Sequence, residues 1–197
     1  MFMRLALLLG LLLASCDSPS ATETRKKRAV YRGSNFRCTH PGDWKVVISH
    51  DDPGSASVEF DFPGPGFATV IVFQPENQGA FDRYTQISAQ KFPKIHEREY
   101  PDQKVTTVSI REKTKLGSLD ALKTTYSIFM APSDRTCVFN YVNLTSPEMV
   151  ALVDVFDEGT ALNPETIASL EQFIGSIKPR KSAGKAASSA EADEPVE

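Results

Sequence analysis

Four apolar segments lie in quick succession over residues 105–156, and their spacing constrains the fold more than any other feature. They run from Val105 to Lys115, Ala121 to Met130, Thr136 to Leu144 and Met149 to Phe156. Only short turn sequences separate the last three, Pro132-Ser133-Asp134 and Ser146-Pro147-Glu148. A parallel return needs a crossover of a dozen residues or more, so strands this close together must pair antiparallel as a meander. Upstream, Ala56 to Phe62 alternates apolar with polar residues, the period-two mark of a half-buried strand. Pro63-Gly64-Pro65-Gly66 then turns the chain into a further strand, Phe67 to Phe73. Phe36 to Cys38 and Trp44 to Ser49 complete the strand set, joined through the turn Pro41-Gly42-Asp43.

Two segments change to helical period. Over residues 79–92, Phe81, Tyr84, Ile87 or Ser88, and Phe92 fall near helical spacing, and Pro93 predicts the stop. Residues 94–103 are charged and without period, and are expected to be irregular. A second helix opens at Asn163-Pro164-Glu165, with asparagine as N-cap and proline in the first turn. Its stripe of Ile167, Leu170, Ile174 and Ile177 should dock on the sheet, and Pro179 ends it.

The N-terminus carries an address. Arg4 precedes the apolar run Leu5 to Leu13, and small residues lead to Cys16. This is the layout of a secretory signal. The run is about half of the ~20 residues a membrane-spanning helix needs. Leu13-Ala14-Ser15-Cys16 resembles the bacterial lipobox, which implies cleavage before Cys16 and acylation of its thiol. The expected layout is a signal peptide over 1–15, lipidated Cys16 with a flexible tether over 16–34, a folded domain over 35–178 and a disordered tail over 179–197. Two or three acyl chains, at about 0.8 kcal/mol per buried methylene, would hold such a protein firmly on a membrane. Asp17 resembles the enteric signal for retention in the inner membrane, so the expected location is the cell envelope, with the periplasmic side of the inner membrane favoured and the outer membrane as the alternative. Within the tether, Arg25, Lys26, Lys27 and Arg28 form a basic cluster that could meet anionic headgroups, against the plainer reading of a solvated linker.

The chain is mildly acidic, with 22 basic against 25 acidic residues in 197, so no global field attracts nucleic acid. Cys38 and Cys137 lie in candidate strands and are either a disulfide, which an exported protein permits, or two buried thiols. A bridge would close a long loop, worth about 4.7 kcal/mol in the chain-entropy model. No metal or cofactor is expected. His40, His50 and His96 are far apart and are expected in turns or irregular segments. Gly64-Pro65-Gly66 lies between strands rather than before a helix, unlike a phosphate loop. Asp154, Asp157 and Glu158 read as edge or turn charges. Trp44, Phe60, Phe62, Phe67 and Phe73 read as core, with a ligand groove as the alternative.

Several loose motifs carry a family resemblance over residues 36–178. Pro41-Gly42-Asp43-Trp44 follows an extended segment; Gly117-Ser118-Leu119-Asp120-Ala121 precedes Tyr126; and Phe173 to Lys178 closes a terminal helix. The chain thereby resembles the PsbP-like superfamily, which includes thylakoid-lumen photosystem subunits and bacterial DcrB-type lipoproteins. The resemblance implies an α+β fold, an α/β/α sandwich around a mainly antiparallel sheet, and carries over no catalytic residue. The expectation for function is a membrane-anchored, non-catalytic accessory or protein-interaction module of the envelope, with an envelope protein as partner. The alternative is a binding protein for a small ligand or envelope component. An open, aromatic-lined groove would favour the binder.

Overall fold

The computed structural model describes residues 27–130, 133–158 and 162–180. Its strands are β1 (Arg28–Arg32), β2 (Phe36–Pro41), β3 (Lys45–Asp52), β4 (Ser55–Asp61), β5 (Gly66–Val72), β6 (Lys104–Leu116), β7 (Leu119–Met130), β8 (Ser133–Asn143), β9 (Ala151–Asp157) and β10 (Lys178–Pro179). Its helices are α1 (Ala80–Glu99), between β5 and β6, and α2 (Pro164–Ser176), between β9 and β10.

Seven strands form one sheet in the order β3-β4-β5-β9-β8-β7-β6, with every pair antiparallel. The meander expected from residues 105–156 is the half β6-β7-β8-β9. The three-stranded meander β3-β4-β5 joins it by pairing β5 with β9. Strand alternation then loads the two faces differently. On one face Val58, Phe60, Ala68, Val70, Val153 and Val155 meet Leu170, Phe173 and Ile174 of α2. A small sheet, β1-β2-β10, closes that side through Phe36 and Cys38. On the other face Tyr126, Phe139 and Tyr141 meet Phe81, Tyr84 and Phe92 of α1. The result is the α/β/α sandwich around an antiparallel sheet that the family resemblance implied.

Helix α2 starts as expected. The Asn163 side chain accepts from the Thr166 backbone N–H at 2.8 Å, and Pro164 occupies the first turn. Gly117 turns β6 into β7 at φ +61°, a conformation that glycine enters without penalty.

Helix α1 differs. Pro93 does not end it; the helix runs through to Glu99, so residues 94–99 are helical rather than irregular. Proline lacks the N–H that would bond to the carbonyl four residues back. That carbonyl belongs to Ala89, and it accepts the Tyr126 hydroxyl of β7 at 3.0 Å in a buried site. A side chain from the sheet supplies the missing donor.

The expected tether also needs correction at its C-terminal end. Arg28 to Arg32 pair with β2, Tyr31 donates to Asp51 at 2.7 Å, and the backbone N–H of Ser34 donates to the same carboxylate. The folded body therefore includes residues 28–34, upstream of the expected boundary at 35. It also ends later than 178, because β10 includes Pro179 and the Arg180 N–H donates to the Asn35 carbonyl at 2.7 Å. β1 was hidden because its alternating faces hold only Ala29, Val30 and Tyr31 between arginines.

Cys38 and Cys137 are buried free thiols, which removes the disulfide alternative. Cys38 sits on β2 in the core beneath α2, whereas Cys137 sits on β8 opposite Tyr126. Burial pushes the first thiol up to about 12 and the second to about 11. The three histidines are in regular elements, not turns: His40 in β2, His50 in β3 and His96 in α1.

Candidate functional site

Helix α1 presents two neighbouring rows at a spacing of four residues. Ala80, Tyr84, Ser88 and Phe92 form the inner row, against the sheet. Arg83, Ile87, Lys91 and Ile95 form the outer row. Between them runs a groove of about 380 Å³, closed at one end by Phe73 and Asn77 from the β5–α1 connection. That volume is at the lower end of the range for ligand sites, roughly 300–1,000 Å³.

The inner row contains a phenol and a hydroxyl, yet both polar ends point away from the groove. The Tyr84 hydroxyl donates to Oδ2 of Asp154 at 3.0 Å. The Ser88 hydroxyl and the Tyr141 hydroxyl share a hydrogen bond of 3.0 Å. The polar ends are thus satisfied inside, and the inner row presents ring faces and aliphatic carbon to the groove. Ile87 and Ile95, about 40% exposed, continue that surface outward.

Asp154 lies beneath α1 and holds the Tyr84 hydroxyl from the sheet. It is the centre of a row across the sheet, Thr69, Asp154, Tyr141 and Leu122, all facing α1. Its carboxyl is enclosed, and Oδ1 has no hydrogen-bond partner among the described residues. Burial, opposed in part by the Tyr84 hydrogen bond, pushes this acid up to about 7. Around it the phenols of Tyr84 and Tyr141 are driven well above their ordinary range, by burial first and then by the nearby carboxylate. Tyr126 is pushed up to about 12 for the same reasons. These phenols stay protonated at neutral pH, which suits hydrogen-bond donors and not nucleophiles.

Asp154 is therefore not an edge or turn charge. The signal was present in Ala151-Leu152-Val153-Asp154-Val155-Phe156, where one acid interrupts a run apolar on both faces. Of the five aromatics weighed as a groove, Trp44, Phe60 and Phe62 are core beside α2, and Phe67 packs against Phe156 with tilted rings 5.0 Å apart. Phe73 alone among them lines the groove. Sequence reasoning missed the helix as the principal wall.

Other candidate residues lie elsewhere. Cys16, Asp17, Arg25 and Lys26, with the signal segment, are outside the described residues. Lys27 is exposed, and its carbonyl accepts from the Gly42 N–H at 2.6 Å. Arg28 is in β1, hydrogen-bonded to Gln172 of α2. Among the described residues no helix is long and apolar enough to cross a membrane.

In sequence, no family model and no curated protein matches this chain. Solved structures similar to it include the cyanobacterial PsbP (CyanoP) of Synechocystis, at 15% identity and a TM-score of 0.45, covering 85% of this chain and 99% of that one. A protein of Bacteroides thetaiotaomicron is similar at 16% identity and a TM-score of 0.39, over 81% of this chain and 50% of that one. LpqN of Mycobacterium tuberculosis, described as involved in cell envelope biogenesis, is similar at 14% identity and a TM-score of 0.33, over 79% and 91%.

Proposed function

We propose that this protein is a lipid-anchored, non-catalytic domain of the bacterial cell envelope that binds a small apolar ligand in the groove along α1. The observation that carries this reading is the inward turn of Tyr84 and Ser88. Asp154 and Tyr141 occupy the two hydroxyls, and a mainly apolar surface is left open to solvent. The lipobox-like Leu13-Ala14-Ser15-Cys16 supports the anchor.

The protein-interaction reading has one supporting feature. Val108 and Ile110 on edge strand β6 are 63% and 55% exposed. Strand addition there is obstructed, because the β6 register shifts twice, between Thr107 and Ser109 and between Ser109 and Glu112, and Arg111 adopts φ +51°. Such bulges protect an edge from pairing.

The test is fluorescence enhancement of the neutral apolar probe N-phenyl-1-naphthylamine. Ile87→Glu, which puts a carboxylate into the groove, should abolish the enhancement, and Val108→Glu on the edge strand should leave it unchanged. The opposite pattern moves the ligand surface from α1 to β6.

A further inference from the structure

The groove's shape and charge specify a class of ligand. Its lining on α1 extends from Ala80 to Ile95, fifteen helical rises of 1.5 Å, or about 22 Å. An apolar track of that length suits an extended alkyl chain. Among the described residues that line the groove, only Arg83 and Lys91 are charged, and both are cations on the outer row. The neighbouring acid of that helix turn, Asp82, is engaged by Arg111 at 2.5 Å.

We infer that the groove takes a single-chain amphiphile with an anionic head, a carboxylate or a phosphate, its chain along Tyr84, Ile87 and Phe92 and its head at Arg83 or Lys91. This rests on the proposed binding function and adds the ligand's chemistry to it. The outer row alternates cation and aliphatic residue at each helical turn, so a head group at either cation leaves an apolar track for the chain. Exposed cations each contribute about 1 kcal/mol or less, so the chain supplies the affinity and the cations the preference.

Isothermal titration of the chain from residue 16, carrying Cys16→Ser to prevent acylation, tests this with defined probes below their micelle concentrations. These are laurate, dodecyl phosphate, dodecyltrimethylammonium and dodecyl maltoside, with acetate and inorganic phosphate as headgroup controls. Laurate or dodecyl phosphate, whichever is the native head type, should bind at least about fivefold more tightly than dodecyltrimethylammonium, equivalent to about 1 kcal/mol. The controls should not bind. Arg83→Glu combined with Lys91→Glu should abolish that preference and keep dodecyl maltoside binding. Equal binding of all four amphiphiles, indifference to the charge reversal, or binding of the headgroups alone would overturn the ligand class while leaving an apolar groove. Failure of every dodecyl probe to bind would overturn the groove function as well.

Discussion

The Tyr126 hydroxyl donates to the Ala89 carbonyl at 3.0 Å, the acceptor that Pro93 leaves unused in α1. One hydrogen bond across the layers thus lets a proline lie within a twenty-residue helix, and it pins the middle of α1 to β7. Phe92, beside the proline, packs on the same tyrosine with ring centroids 4.6 Å apart.

Tyr126→Phe should therefore destabilise the fold by roughly 1–2 kcal/mol, the cost of leaving a buried acceptor unsatisfied. Pro93→Ala restores an N–H to the helix, and in that background the loss from Tyr126→Phe should shrink. Urea unfolding of the two single variants and the double variant measures the coupling. Additive effects would show that the hydroxyl does not substitute for the missing helical donor.

Asp154 makes stability depend on pH. Its folded-state value near 7 lies above the ordinary carboxylate value near 4, so between these limits the folded chain holds a proton that the unfolded chain has released. Stability conferred by the wild-type residue is greatest below about pH 4 and falls as pH rises to about 7. The fall is roughly 4 kcal/mol if the whole shift is expressed. The neighbours facing it are Tyr84 from α1, Tyr141 from β8 and Tyr126 from β7, all phenols that remain neutral in that range. Asp154→Asn should match wild type near pH 4 and melt higher at pH 8. Parallel profiles of melting temperature against pH would contradict the assignment.

These two features show where sequence legibility stops. The meander and the Asn163 cap follow from local spacing and local hydrogen bonds, and both are present as expected. Pro93 has a strong local meaning that a tyrosine 33 residues away cancels, and no window of sequence contains both the proline and its remedy. Asp154 stands out in its strand, but only the fold shows Tyr84 above it. The groove was least legible, because its apolar character comes from the direction of two hydroxyls rather than from residue type.

The domain boundaries can be tested by truncation. Beginning the chain at residue 35 removes β1, with the Tyr31–Asp51 hydrogen bond and the edge-on contact of Tyr31 with Phe60 at 5.8 Å. Together these account for at least about 2 kcal/mol. Thermal melts should show residues 35–180 less stable than residues 27–180, and residues 27–180 unchanged from the longer chain. Equal stability of the first two would return residues 27–34 to the tether.

Ile174 is buried between α2 and the sheet. Ile174→Asp should be severely destabilising, by more than about 4 kcal/mol, because it places an unpaired carboxylate in the core. Retained folding by circular dichroism would mean that α2 does not close this face.

The lipid anchor is tested by metabolic labelling with an alkyne fatty acid. Wild-type protein should be acylated and Cys16→Ser should not. Normal acylation of the variant would place the modification elsewhere.

The central claim is that an alkyl chain lies along α1, and cross-linking in intact membranes tests it most directly. Cells supplied with a diazirine-bearing fatty acid and irradiated should yield the full-length protein cross-linked at residues 80–95, with the adducts lost in Ile87→Glu. Adducts concentrated on β6 around Val108 and Ile110, or adducts at 80–95 that persist in Ile87→Glu, would contradict it.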